Sequence, residues 1–394
     1  MSEWRECVLG EYAKVIGGYA FKSEDFLEFG DYPVIKIKNI ASGILNMTEC
    51  QYIMANIASK AARFKAEKGD ILIAMTGSHI TQPSSMVGRV TRYNSTIEAY
   101  INQRVGKIIT LDNSILSEDF LYHFMVQEDT AYSLANIASG SANQANISAG
   151  QIEALSFVLP CIEEQHTIAE ILSSLDDKID LLTRQNTTLE ALAQTYFRQW
   201  FVEEASEEWE TNGLDEIADF LNGLPLQKYP CKIGEPLYVI KIKELNGGFN
   251  DNSDVCSANV PEKYIVHPGD VVFSWSGSLV VDIWKYNKGA LNQHLFKVTS
   301  DKYPKWFFYY WIKYYIPEFQ IIAESKATTM GHIQRGHLTA AKVLVPSNDE
   351  IAIMSETMQP LIGKIEINNA QIQTLQKLRD TLLPKLISGE VRVK

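Results

Sequence analysis

Three pairs of polar segments hold most of this chain's capacity for specific contact. Thr76-Gly77-Ser78-His79 stands against Ser276-Gly277-Ser278-Leu279, Asn102-Gln103-Arg104 against Asn292-Gln293-His294, and Ser141–Asn146 against Ala327–His332. The members of each pair hold equivalent places in two repeats but differ in side chain. Asn and Gln can pair bidentately with adenine, Arg with guanine, and Ser or Thr with either, so these segments have the vocabulary of base readout. The candidate readers are Thr76, Ser78, His79, Arg104, Asn143, Gln144 and Asn146 in the first repeat. In the second they are Ser276, Ser278, His294, Thr328, His332, Gln334 and Arg335. Lys36, Lys38, Arg89, Arg92, Lys241 and Lys243 are the candidates for holding phosphates. The plain alternative is that polar loops are merely solvated. Asn102-Gln103 and Asn292-Gln293, identical in both repeats, suit a structural turn as well as a contact.

Catalytic constellations are missing from the sequence. It contains no GxxxxGK[ST], no GxGxxG after a strand, and no Asn/Asp-Pro-Pro-Tyr/Phe of the kind N6-adenine methyltransferases use. Seven histidines do not cluster with cysteines at metal-ligand spacing, so no metal is expected. Asp176-Asp177-Lys178 contains the Asp-x-Lys fragment of many nuclease sites. It falls in a helical stretch with no partner acid on a nearby strand, and reads as an exposed charged face. The run Trp306-Phe307-Phe308-Tyr309-Tyr310-Trp311 has the composition of a base-stacking surface. Its counterpart Phe120-Leu121-Tyr122-His123-Phe124 is more aliphatic, which favours a shared core helix.

Charge and composition set further bounds. The 394 residues suit two or three domains, and 46% apolar with 21% charged content is ordinary for a soluble globular chain. The opening MSEWRECVLGEYAK lacks the pattern of a secretory signal, and no apolar run approaches a membrane span. Five scattered cysteines, never CxxC, read as reduced thiols of a cytoplasmic protein. Net charge is −4 over 1–160, −9 over 161–213, +1 over 214–346 and 0 over 347–394. Most of the acidity therefore sits on one stretch, and the near-neutral remainder leaves room for local basic faces.

The elements that position the polar segments also come in pairs. Trp4, Leu9, Glu11, Ala13 and Gly18 recur 205 positions later, as does VIKIKNI (34–40) in VIKIKEL (239–245). KGDILIAMTGS (68–78) returns at an offset of 200, INQRVGKIIT (101–110) at 190, and everything from Asp119/Lys305 onward at 186. Period-two alternation predicts a strand over Val34–Lys38, and Gly69-Asp70 a turn into a strand over Ile71–Ala74. Ser117 is placed to cap a helix running to about Ala135, Gly140–Ser148 reads as a loop, and Leu155–Leu159 as a last strand.

Each repeat is followed by a long heptad seam. Ile168, Leu172, Leu175, Ile179, Leu182, Asn186, Leu189, Ala193, Tyr196 and Trp200 overlay, at 186, on Met354, Met358, Leu361, Ile365, Asn368, Ile372, Leu375, Arg379, Leu382 and Leu386. About forty helical residues span roughly 60 Å. If each helix docks on its own repeat in the same way, the two must run antiparallel. Asn186 and Asn368 then straddle the midpoint, where a buried Asn pair would fix register at some cost in stability.

This pattern resembles the DNA-specificity subunit of type I restriction–modification systems. Its carriers are LPCIEEQHTIAEILSSLDDKIDLLTRQNTTLEALAQTYFRQWF, the terminal LRDTLLPKLISGEVRV, the tandem WRECVLGEYAK and WETNGLDEIAD starts, and the GDILIAMTGS and GDVVFSWSGS segments. Ser347-Asn348-Asp349-Glu350-Ile351 departs from Cys161–Gln165 at the start of the second helix. The resemblance implies an α+β dumbbell of pseudo-twofold symmetry. Its parts are target-recognition domain 1 (1–160), a central linker helix (161–208), target-recognition domain 2 (209–346) and a distal linker helix (347–394), the helices forming an antiparallel coiled coil. It further implies a non-catalytic subunit without cofactor that reads a bipartite site in double-stranded DNA. Two methyltransferase subunits, carrying S-adenosylmethionine, would sit on the helices, and restriction subunits can join. A roughly 60 Å separation exceeds one turn of B-DNA, about 34–36 Å, and so suits separated half-sites. The rival reading is a non-enzymatic dumbbell scaffold whose heads bind protein.

Overall fold

The computed structural model describes residues 4–41, 43–80, 85–141, 144–231, 235–250, 252–325 and 331–393. The chain forms two compact units, Met1–Asp177 with Gln376–Lys394, and Lys178–Leu375. These boundaries fall inside the long helices and not at their ends, because each helix segment packs on the unit that it adjoins.

In the first unit, strand Ile71–Ala74 lies between Val90–Arg92 and Val105–Thr110, and Ala13–Gly17 completes an antiparallel sheet. A second sheet is mixed, with the order Gln51–Ile53, Tyr32–Ile35, Ala99–Ile101, Lys65–Ala66 and a parallel central pair. Arg5–Val8 pairs with Ser156–Leu159. The second unit repeats this plan. Val271–Ser274 lies between Val281–Ile283 and Leu295–Thr299, with Asp219–Asn222 outermost. The mixed sheet runs Val255–Ser257, Pro236–Ile240, Gly289–Leu291, Ile265–Val266, and Glu210–Gly213 pairs with Lys342–Val345. Even register is kept: Arg5 faces Leu159 and Glu210 faces Val345. The two apolar strands at the centre, ILIA and VVFS, are buried at every position, as strands covered on both faces must be.

The same small devices are built twice. Asp70 accepts from the Glu67 amide at 2.7 Å and from Lys107 Nζ at 3.0 Å. Asp270 does the same with the His267 amide and Lys297, both at 2.7 Å. A β-carbon on Gly18 would stand 2.3 Å from the Asn102 carbonyl oxygen, and one on Gly223 2.2 Å from that of Asn292, so only glycine admits this approach.

Five local expectations are corrected. The strand expected over Val34–Lys38 stops at Ile35, because the buried Asn39 side chain accepts from the Lys36 amide at 2.9 Å and folds the chain into a turn. Glu244 does this for Lys241 at 3.2 Å, so the alternating lysines lie on turns. The helix expected from Ser117 to Ala135 is two, Glu118–Val126 and Glu128–Ile137. Gln127 is extended between them, and the buried Thr130 hydroxyl donates to the Phe124 carbonyl at 2.8 Å. Ser117 stands at the N-cap position without capping through its side chain; its amide donates to Gln165 Oε1 at 2.9 Å. The loop expected over Gly140–Ser148 holds two short strands, Ser139–Ser141 and Gln144–Asn146, and the last strand begins at Ser156.

The long helices are Ile162–Arg198, continued by a π-helical turn at Gln199–Glu203, and Asn348–Ser388. Within the first unit, Asp176 meets Arg379 at 2.9 Å and Glu164 meets Arg392 at 2.6 Å, so the segments run antiparallel. There Ile168 and Leu172 bury against Leu386 and Ile387 in the sheet's own core. Within the second unit, Ala193, Phe197 and Phe201 pack with Met358, Ile362 and the aromatic helix Lys305–Ser325. Trp306 through Ile312 are all buried in that helix, which is therefore core. Among the described residues, no helix is long and apolar enough to cross a membrane.

Candidate nucleic-acid interface

In each unit the central strand leaves the sheet and passes between the other two polar segments. The Met75 amide donates to the Arg104 carbonyl at 2.9 Å, and the Ile147 amide donates to the Met75 carbonyl at 3.0 Å. Trp275 repeats both contacts, to His294 at 3.3 Å and from Ile333 at 3.0 Å. Thr76-Gly77 then pairs with Ala145-Asn146, and Ser276 bridges His332. Thr76, Arg104 and Asn146 are thus gathered in the first unit, and Ser276, His294 and His332 at the same positions in the second. Three segments scattered over seventy residues of sequence form one surface because the strand between them is shared.

The side-chain wiring differs between the units. Thr76, 8% exposed, donates from its hydroxyl to Asn146 Oδ1 at 2.8 Å. Ser276, 3% exposed, is bonded instead to His294 Nδ1 at 3.0 Å. The His294 amide reaches Asn292 Oδ1 at 3.2 Å, and its Nε2 lies 3.3 Å from Gln293 Nε2. Arg104, His332, Gln144, Ser278 and Gln334 are exposed. Ser78 is buried against the Ser85 hydroxyl at 2.8 Å, and His79 is half-buried. Asn143 and Thr328 lie outside the described residues.

The Asn-Gln turn is structural. Asn102 donates from its amide to Ile35 at 3.0 Å and Asn292 to Ile240 at 3.2 Å, tying one sheet to the other at the turn that carries Arg104 and His294.

The cations expected to hold phosphate each have an internal partner. Lys36 bonds Gln51 and lies 3.3 Å over the Phe26 ring; burial first, then Lys38, pushes its pKa down. Lys38 pairs with Glu49 at 3.5 Å, Lys241 with Asp254, and Lys243 with Glu244 at 3.2 Å. Arg89 donates to the Met86 carbonyl at 2.9 Å. Arg92 bonds Asp119 at 2.7 Å and lies 4.4 Å over Tyr122. The candidate reader Arg335 likewise donates to the Phe220 carbonyl at 3.1 Å. Of the phosphate candidates, Lys38 and Lys243 keep about half of the side chain in solvent, so engaging phosphate means exchanging a surface ion pair.

Trp275 was not among the residues singled out in the sequence. Its ring lies 5.7 Å from His294 and 6.2 Å from His332, and its Nε1 donates to Asn222 Oδ1 at 2.9 Å. The signal was there: a tryptophan inside a polar turn where the other repeat has Met75.

Asn186 and Asn368 lie in the second unit. Asn368, with no exposed surface, donates to Asn186 Oδ1 at 2.9 Å, and Asn186 donates to Asn369 Oδ1 at 2.8 Å.

Comparison with known proteins gives one family throughout. The type I restriction modification DNA specificity domain matches residues 1–191 and again 206–377. The MjaIX type I restriction enzyme specificity subunit of Methanocaldococcus jannaschii is 24% identical, with 100% of this chain and 97% of that protein covered. The HindI specificity subunit of Haemophilus influenzae is 21% identical over 99% and 100%. The crystal structure of a type I restriction-modification S subunit from M. genitalium shares the fold, with a TM-score of 0.58 at 17% identity, covering 98% of this chain and 96% of that one.

Proposed function

We propose, from the premise that the chain belongs to the type I restriction modification DNA specificity family, that its two units each read one half of a bipartite site in duplex DNA. The long helices seat two methyltransferase subunits in the cytoplasm, on an assembly that restriction subunits can join. The chain performs no chemistry of its own. S-adenosylmethionine and the adenine methyl transfer belong to the partner, and this chain decides which adenine is presented.

One observation carries the reading. A single backbone frame is built twice, and equivalent positions hold Arg104 and Asn146 in one copy but His294 and His332 in the other, with Arg104 and His332 exposed and Asn146 and His294 half-buried. Repeats that served only to dock identical partners would gain nothing from that divergence. A repeat that reads sequence needs a fixed frame with variable polar side chains, since base edges are told apart by donor and acceptor pattern. Acidity concentrated in 161–213 keeps the first long helix away from phosphate and suits a protein-facing role.

The test is a titration of random-sequence duplex with the chain and its methyltransferase partner over a range of salt. Affinity should fall steeply, by about a thousandfold between 50 and 200 mM salt for six phosphate contacts. A flat response would contradict the proposal and favour a protein-binding scaffold.

A further inference from the structure

Among the described residues, each unit holds exposed basic side chains with no acidic partner beside its frame. In the first unit the helical segment Ser59–Phe64 runs into strand Lys65–Ala66. Ala58 and Ala61 are buried and Phe64 is half-buried, so a spacing of three turns Lys60 and Arg63 together to the exposed side. Lys65 pairs with Glu98 at 3.1 Å, whereas the Arg63 guanidinium lies 5.7 Å from the centre of the Phe64 ring. In the second unit Lys263, also exposed, lies 5.1 Å from the centre of the Tyr264 ring, ahead of strand Ile265–Val266. Its neighbour Glu262 is engaged by His267 at 3.6 Å.

Strand register places these cations next to the reading surface. Lys65 faces Tyr100 in an antiparallel pair, so Phe64 and Arg63 continue alongside Ile101 and Asn102, at the start of the turn that carries Arg104. Tyr19 bridges Asn102 and has its ring 5.5 Å from Phe64, which holds that end of the segment against the turn. Ile265 faces Ala290 in the same way and brings Tyr264 and Lys263 alongside Leu291 and Asn292, close to His294.

We propose that Lys60 with Arg63 in the first unit, and Lys263 in the second, are the phosphate anchors that fix duplex DNA against each frame. This inference rests on the DNA-reading function proposed above. A ring beside a cation restrains it without neutralising it, whereas an ion-paired cation must release a carboxylate before it takes a phosphate. The chain carries 48 acidic and 36 basic side chains, so leaving these cations without acidic partners runs against its overall charge. The cation–aromatic pair recurs 200 positions apart although the residues before it, Ser59–Ala62 and Asn259–Glu262, differ. Contacts to phosphate fix position without reading sequence, which leaves base choice to the frame. The first unit therefore grips two phosphates and the second grips one.

The experiment titrates the chain with its methyltransferase partner against random-sequence duplex and against duplex carrying the motif that the complex methylates, over a range of salt. The forms compared are the unaltered chain, Lys60→Ala combined with Arg63→Ala, Lys263→Ala, Arg63→Lys and Lys68→Ala. Lys68 is an exposed cation ahead of strand Ile71–Ala74, at the end away from the frame, and serves as the control. In a plot of log affinity against log salt, the slope should become shallower by about 1.8 in the double substitution and by about 0.9 in Lys263→Ala. Both losses should be equal on the two duplexes, while Arg63→Lys and Lys68→Ala keep the full slope. Slopes unchanged by the alanine substitutions at 60, 63 and 263 would overturn the inference. So would an equal change from Lys68→Ala, or a loss confined to the motif-bearing duplex. A flat slope in the unaltered complex would overturn the proposed function first.

Discussion

At the scale of single residues, burial and pairing decide which titratable groups respond to pH. His123 is buried in the first unit with its Nε2 3.0 Å from the Ser173 hydroxyl on the long helix. Burial first, then the charge of Arg92, pushes its pKa down to about 3, against about 6.5 in an unfolded chain. As pH falls, the unfolded chain takes up the proton before the folded one, so the His123 contribution is complete above about 6.5 and lost as pH drops toward 3. His123→Gln should flatten the melting-temperature profile between pH 7 and 5; an unchanged slope would remove His123 as its source. Glu164 behaves as a carboxylate held down. Its hydrogen bonds from Arg392 and from Trp4 Nε1, at 2.9 Å, keep its pKa below the usual range. Glu164→Gln should lower the melting temperature at pH 7, and the gap should close as pH falls through and below the ordinary carboxylate range near 4.3. The types of these residues were legible in the sequence, but their partners were not. Arg92 and Lys36 stand in the sequence as candidate phosphate ligands, and nothing local to them shows that they bond Asp119 and Gln51.

At the scale of elements, periodicity was legible wherever one face of a long helix is buried. Every position of both ten-residue seams is buried or half-buried in its own unit, and the aromatic run is core on all sides. Phe307→Ala should therefore cost about 3–5 kcal/mol in denaturant unfolding, as removal of a fully buried aromatic does. The Asn186–Asn368 contact interrupts a seam that is apolar apart from these two residues and Arg379. Replacing both by Leu should raise the melting temperature while loosening the register of the helix pair, seen as a second set of cross-links between engineered cysteines. A lower melting temperature would count against the register role. Short elements were less legible. VIKIK alternates like a strand, but Asn39 and Glu244 impose a turn from three residues downstream. The Gly140–Ser148 segment is polar like a loop, and becomes a hairpin because Thr76-Gly77 offers it an edge to pair with. In both cases the deciding contact comes from side-chain bonding or distant pairing, neither of which periodicity records.

For the whole molecule, the duplication was the strongest signal in the sequence, and sheet orders and registers repeat accordingly. What the offsets could not show is that three separate polar segments meet on one frame, because that depends on the strand leaving the sheet after Ala74 and Ser274. The central claim is that the two frames read two different half-sites for partners that methylate an adenine in each. The most direct measurement is to sequence the methylated bases in DNA from cells expressing the chain with its methyltransferase subunits. One asymmetric motif is expected, with two specified segments flanking an unspecified spacer and an adenine modified in each. A single uninterrupted motif, two identical half-sites, or methylation without sequence preference would contradict the account.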